Sequence, residues 1–277
     1  MKTYSSIYTD KKINAWLDIT TYCNAACPQC HRTNPDNLNK VDWLPLVQWS
    51  LKDFMISFTP EAMIKIDKFE LCGTWGDPIM NKDVKEIIEY IIENSNCNIQ
   101  INTNGGVRDE DWWWDLGVIG RERLEVYFDI EGITPEMHSK YRQKVDLEKL
   151  KENIHAYVGT GATANAHVIA FKHNEDYLYD IVNMIDNELG IKGDIIIQTS
   201  NRWDEYHKKM TYTYKGKEIT IEEVTNKNHP LLQDIAPIRD RINRNDFNLP
   251  INTKLNQYTK RTDRLTNDGV ITVLVKK

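Results

Sequence analysis

No stretch of the 277 residues stays apolar for the length a membrane-spanning helix requires. The opening Met1-Lys-Thr-Tyr-Ser-Ser lacks the apolar region of a secretory signal. Cysteine is scarce: there are five, and none follows Cys97, so the tail has no thiolate with which to build a metal centre of its own. There is no internal repeat beyond an alternation of strand-like and helix-like segments. These absences argue against a membrane protein, a disulfide-stapled secreted domain and a two-pair zinc ribbon. They lead to the expectation of a reducing, cytoplasmic setting with no membrane partner.

Hydrophobic residues make up 40% of the chain, enough for a sizeable core. The formal net charge of −6 is unevenly spread. Residues 1–199 carry 20 Lys/Arg against 31 Asp/Glu, whereas residues 200–277 carry 15 against 10. A basic tail on an acidic body either docks on that body or meets an anionic partner, nucleic acid included. The dispersal of its basic residues favours docking.

Hydrophobic periodicity places strands at 14–20, 68–73, 98–103, 124–130, 164–171 and 194–199. Helices fall near 60–67 and at 83–93, 147–158 and 177–189. Residues 33–58, rich in Asn, Asp, Trp and Pro, read as an insertion. Strands separated by helices imply parallel pairing with right-handed crossovers. The expected fold is therefore α/β, a partial (β/α)6 TIM-type barrel over residues 1–202, with a polar C-terminal extension over 203–277 broken by the apolar fragments 231–238 and 270–275. Trp112-Trp113-Trp114 cannot all face one side of a helix, so at least one is expected to be exposed while the others pack.

The chemistry concentrates in Cys23-Asn-Ala-Ala-Cys27-Pro-Gln-Cys30, directly after the first strand. Three soft thiolates on one tight loop suit three irons of a [4Fe–4S] cube and leave the fourth iron open. A structural zinc ion calls for four ligands, typically two separated pairs. Here there is one triplet, and His31 sits beside Cys30, where one tetrahedral ion is hard to wrap. Cys72 and Cys97 stand singly in strand contexts and read as buried packing residues.

This spacing, C-x3-C-x2-C after the first strand, resembles the signature of the radical S-adenosylmethionine (SAM) superfamily. Further motifs follow in matching order. Gly76-Asp77-Pro78 after the second strand is similar to the last three positions of a Gly-Gly-Glu-Pro motif. Thr103-Asn104-Gly105 closes the third strand. Asp129 and Glu131 stand where relatives have Ser and Asp, and Tyr141-Arg142 follows. The resemblance spans about residues 14–202 and is closest to cores that carry SPASM or twitch domains, without their auxiliary-cluster cysteines.

The resemblance implies a cluster held by Cys23, Cys27 and Cys30, with SAM chelated to the open iron. SAM is cleaved there to methionine and a 5′-deoxyadenosyl radical, which abstracts hydrogen from a substrate. Gly76, Asp77, Asn104, Asp129, Arg142 and Asn174 are the expected cofactor contacts, Asp77 meeting the amino group of SAM and Arg142 its carboxylate. His173 and Arg202 are further candidates at the barrel mouth. The implied partners are an unidentified substrate, a peptide being one candidate, and an electron donor such as a flavodoxin or ferredoxin. The alternatives are a SAM- or cluster-binding protein without catalysis and a radical enzyme acting on RNA or a nucleotide.

Overall fold

The computed structural model describes residues 12–233 and a strand at 271–273. Seven strands form one sheet: β1 Ile13–Leu17, β2 Ile66–Leu71, β3 Asn98–Thr103, β4 Leu124–Asp129, β5 Thr163–Ala170, β6 Ile195–Thr199 and, in the same sheet, β9 Ile271–Val273. Their order is β6-β5-β4-β3-β2-β1-β9, and every neighbouring pair is parallel. Helices cross between them: α1 Leu51–Ser57, α2 Pro60–Met63, α3 Val84–Asn94, α4 Glu110–Gly120, α5 Pro135–Ser139, α6 Leu147–Gly159 and α7 Leu178–Asn183. The result is an open, curled half-barrel, the partial (β/α)6 fold expected from the sequence.

One face of each strand supplies the core. Ala15, Leu17, Phe69, Leu71, Ile99, Ile101, Val126, Phe128, Ala166 and Val168 are buried with Ile87, Ile88, Leu116, Leu150 and Ile154 of the helices. The other face is polar. In register across the sheet, Trp16 stands opposite Glu70, Glu70 opposite Gln100 and Gln100 opposite Glu125. Asn102 stands opposite Tyr127, and Asp129 opposite His167. These residues are only partly buried. Period-two alternation thus gives a dry outer face and a wet inner one, as in barrels whose interior holds a ligand.

Three segments differ from expectation. Residues 51–57, read as part of an insertion, form α1. Its Ser50 and Asp53 make a reciprocal capping box, and Phe54 is fully buried against Phe58 and Phe69. The expected helix 177–189 is broken: α7 ends at Asn183 and a π-turn runs through Met184–Glu188. The region after residue 202 opens with an antiparallel hairpin, β7 Lys209–Tyr214 and β8 Lys217–Glu222. Tyr212 and Ile221 of that hairpin pack with Ala25, Ala26, Cys27, Tyr141 and Phe171, so it roofs the cysteine loop. Parts of the apolar fragments 231–238 and 270–275 lie outside the described residues. Both sheet edges are met by chain: β9 lies along β1, and Gln233 donates its backbone N–H to Ile197 and its amide to Ile195 of β6.

Of the three tryptophans, Trp113 is buried and donates to Val107 O, Trp112 lies between Lys85 and Arg108, and Trp114 is half exposed. Cys97 is buried, and its thiol donates to Ile66 O.

Phe54→Ala is expected to destabilise the protein by about 3–5 kcal/mol, the usual cost of deleting a buried phenyl ring. Urea unfolding followed by far-UV circular dichroism measures it. A loss below about 1 kcal/mol would show that α1 is not part of the core.

Candidate cluster and cofactor site

The cysteine loop has no regular structure and is shaped by buried polar side chains. Arg32, almost fully buried, donates to the carbonyls of Thr21 and Trp75, tying the loop's base to the turn after β2. Ala26 N–H donates to Gln143 O, and Gln143 in turn donates to the Tyr212 hydroxyl. Gly76 is required by contact: a Cβ there would stand 2.3 Å from Thr20 O and 2.7 Å from Tyr22 O. The two loops are therefore pressed backbone to backbone.

Two N–H groups point at the sulfurs. Asn104 Nδ2 lies 3.9 Å from Cys23 Sγ, and Arg142 Nη1 lies 3.7 Å from Cys27 Sγ. Burial pushes both thiols up, Cys27 to about 12, although Arg142 pulls Cys27 down. Neighbouring cysteines raise one another, Cys27 acting on Cys23 and Cys30 on Cys27. Left alone these are neutral thiols, and a cationic iron centre is what makes such buried sulfurs thiolates. N–H donors at the sulfurs are the outer partners a thiolate-held cluster uses. Among the described residues, no three His, Cys, Asp or Glu side chains converge on a single metal ion. A cube in which each thiolate takes its own iron needs no such convergence, so the donor set fits a [4Fe–4S] cluster better than one zinc.

The other expected contacts are gathered here, but several are used internally. Asp77 is buried and accepts from the Thr103 hydroxyl at 2.8 Å, Asn104 N–H at 2.9 Å, Asn104 Nδ2 at 2.5 Å and Ile79 N–H at 3.1 Å. Its carboxylate thus knits the ends of β2 and β3, which corrects the expectation that it reaches out to an amino group. Burial still pushes it up to about 6.

Arg142 likewise does not wait for a ligand's carboxylate. It clamps Glu131 through Nε at 2.7 Å and Nη2 at 2.8 Å, and Nη2 also lies 3.1 Å from Asp129. Its charge holds Asp129 below the usual carboxylate range. Asp129 also meets His167 Nδ1 at 3.3 Å, and His167 Nε2 contacts the Gln198 amide. Asn174 is fully buried. It donates to Glu131 O and Ile169 O and accepts from Phe171 N–H, bracing β4 against β5 rather than facing the mouth. His173 stacks on Phe171, and burial brings it down to about 4.

Sequence reasoning missed Arg32, His138 and Asp18. His138 is fully buried on α5 and takes Glu131 N–H on Nδ1. Asp18 closes β1 on the inner face. One oxygen accepts from Trp75 N–H at 3.2 Å, and the other has no hydrogen-bond partner among the described residues. Burial pushes it up to about 7, against the pull of the Trp75 and Thr74 donors. A polar residue two places beyond a buried apolar strand position was the available signal. Beside the loop, a cavity of about 720 Å³ is lined by Gln29, His31, Arg202, Trp203, Asp204 and Lys209, among others. Arg202 Nη1 donates to Gln29 O at its edge.

No family model matches the chain. A probable GTP 3′,8-cyclase of Methanocaldococcus jannaschii is 28% identical over 167 residues, which is 60% of this chain and 52% of the relative. Its counterpart in Methanothermobacter marburgensis is 30% identical over 145 residues, 52% of this chain and 44% of that one. The chain thus spans about half the length of the curated relatives it matches. The crystal structure of Streptococcus suis SuiB bound to S-adenosylmethionine shares the fold: TM-score 0.57 at 12% identity, covering 74% of this chain and 44% of SuiB. The chain belongs to the radical SAM superfamily. For a radical SAM protein the arrangement is coherent. The three cysteines sit at the C-terminal end of β1, the end of a parallel barrel where sites are built. The polar inner face lies below them.

Two outcomes follow from this geometry. Gly76→Ala is expected to separate the two loops and lower the iron bound per folded chain, read by iron analysis after anaerobic reconstitution. Full iron loading would mean the loops tolerate a side chain there. The second concerns pH. The folded Asp18 carboxyl keeps its proton up to about pH 7, whereas the unfolded chain releases it near pH ~4. Between those values the folded state binds more protons, so this group's contribution to stability falls as pH rises. Asp18→Asn removes that slope and is expected to raise Tm, relative to wild type, more at pH 8 than at pH 5. Equal differences at both values would show that Asp18 does not titrate in this range.

Proposed function

We propose that the chain is a radical SAM enzyme that holds a [4Fe–4S] cluster through Cys23, Cys27 and Cys30 and acts on a nucleotide substrate. The observation that carries the first part is the buried cysteine loop with the Asn104 and Arg142 N–H groups directed at two of its sulfurs. When bound, the cluster and SAM supply reductive cleavage and hydrogen abstraction. The protein supplies the rest. Asn104 and Arg142 favour the thiolate form of their cysteines. Arg32 and the Gly76 contact fix the loop's position. The hairpin β7–β8, through Tyr212 and Ile221, shields the loop from water, as chemistry through a reactive intermediate requires.

The nucleotide reading rests on two things. The relatives of highest identity named above are probable GTP 3′,8-cyclases, similar over the part of the chain that carries the cysteine loop and half-barrel. The cavity beside that loop also presents Arg202, Lys209, His31 and His207, a cationic lining with Asp204 as its acidic member. A planar guanidinium beside an ammonium group suits phosphate oxygens. An electron donor of the flavodoxin or ferredoxin class remains the expected partner for cluster reduction.

Anaerobic reconstitution is expected to give about four irons per chain in the wild type, and the Cys23→Ala, Cys27→Ala, Cys30→Ala triple variant to lose them. With dithionite and SAM, the wild type is expected to form 5′-deoxyadenosine, and GTP to raise that rate. Full iron retention in the triple variant overturns the ligand assignment. A rate indifferent to GTP and to the other nucleoside triphosphates overturns the substrate class while leaving the cluster assignment intact.

A further inference from the structure

We infer that Trp16 and Asp18 form a substrate subsite on the inner wall of the half-barrel, one that binds the hydrogen-bonding edge of a nucleobase. The inference rests on the nucleotide reading above and adds where, and by what, the base is held.

The starting point is strand geometry. Side chains two apart on a strand share a face. Ala15, Leu17 and Ile19 take the helix-packed face of β1 and its continuation, all nearly fully buried. Trp16 and Asp18 therefore take the inner face together. Trp16 lies in register with Glu70 on β2, and Asp18 lies level with Cys72, whose N–H donates to Leu17 O.

Each of the two carries a buried polar atom with no hydrogen-bond partner among the described residues: Trp16 Nε1 and Asp18 Oδ2. Such atoms are uncommon in folded proteins, because each forfeits its hydrogen bond to water without replacement. Elsewhere around this sheet polar atoms are satisfied. Lys68 meets Gln100 and Glu125, Gln100 donates to Asn102, and Asp129 meets Arg142 and His167. The two orphans are thus a local exception, adjacent on one face, within the polar interior below the cysteine loop.

Their chemistry is complementary. The indole offers a donor and nothing else. The Asp18 oxygen accepts when ionised and donates when protonated. No fixed cation contacts Asp18, and its other oxygen is pinned by Trp75 N–H. A ligand that fits both presents an acceptor to Trp16 and an exchangeable N–H to Asp18. The carbonyl and ring or exocyclic N–H groups of a nucleobase offer that combination without bringing a charge into a buried site. A phosphate does not, because it has no donor for Asp18 and would be repelled by the ionised form. The phosphates belong instead at the cationic cavity by Arg202 and Lys209.

The test uses the full chain, reconstituted anaerobically with iron, sulfide and SAM. GTP and guanosine are the probes, and equilibrium dialysis gives the affinities. Trp16→Phe removes one N–H with little change of shape, and Asp18→Ala removes the carboxyl. Each is expected to weaken GTP and guanosine alike, by about tenfold for a lost hydrogen bond, with iron content and SAM affinity unchanged. Arg202→Ala is expected to weaken GTP but not guanosine. Should Asp18→Ala fail to fold, Trp16→Phe decides alone. If the wild type binds the probes and Trp16→Phe binds both as tightly, or loses GTP alone, the subsite is refuted and the nucleotide reading stands. If the wild type binds neither probe, the nucleotide reading falls and the base subsite falls with it.

Discussion

The carboxylate of Asp77, buried with no cation in contact, is surrounded by donors from the turn after β2 and from the end of β3. Unpaired, a buried carboxylate is costly. Satisfied by N–H and O–H groups, it becomes a rigid joint. Asn104, one of its donors, also exchanges hydrogen bonds with Asn24 and approaches Cys23. The position of the first cysteine is thus set by a polar chain that begins two strands away. Remove the carboxylate, and Thr103, Asn104 and the Asn24–Cys27 segment lose a common anchor.

A second polar joint mirrors it across the site. Arg142 binds Glu131, Asp129 and, at longer range, Cys27. Two acids against one base leave this group formally anionic, and His138 and His167 lie against those acids. The loop is consequently held between two buried networks, one on β2 and β3 and one on β4 and β5. The hairpin closes it from above. Rigidity of this kind is what a site needs to hold a reactive group in one orientation.

Much of the architecture was legible in the chain. Asn98-Ile-Gln-Ile-Asn-Thr103 alternates so cleanly that β3 has the same ends in sequence and structure. The cysteine spacing announced its chemistry without any fold. What escaped the sequence was the direction of side chains whose partners are remote. Asp77 and Arg142 are 26 and 11 residues from the groups they bind, Thr103 and Glu131. A motif fixes which residue stands at a position and leaves open whether it faces inward or to the ligand. Leu51–Ser57 escaped for another reason: one buried residue, Phe54, is too little for periodicity to reveal a seven-residue helix.

An unclosed barrel has two exposed rims, each a row of free amides and carbonyls able to recruit a strand from another molecule. In this protein neither rim is left bare along its whole length. Gln233 occupies acceptors at Ile195 and Ile197 on β6, and β9 runs beside Ala15–Leu17 of β1. The chain thus supplies its own substitute for the neighbouring strands that closure would have provided. The interior stays open to solutes while the rims are withdrawn from intermolecular strand addition. Shortening the chain before residue 233 would therefore be felt first as self-association, ahead of any change in the site.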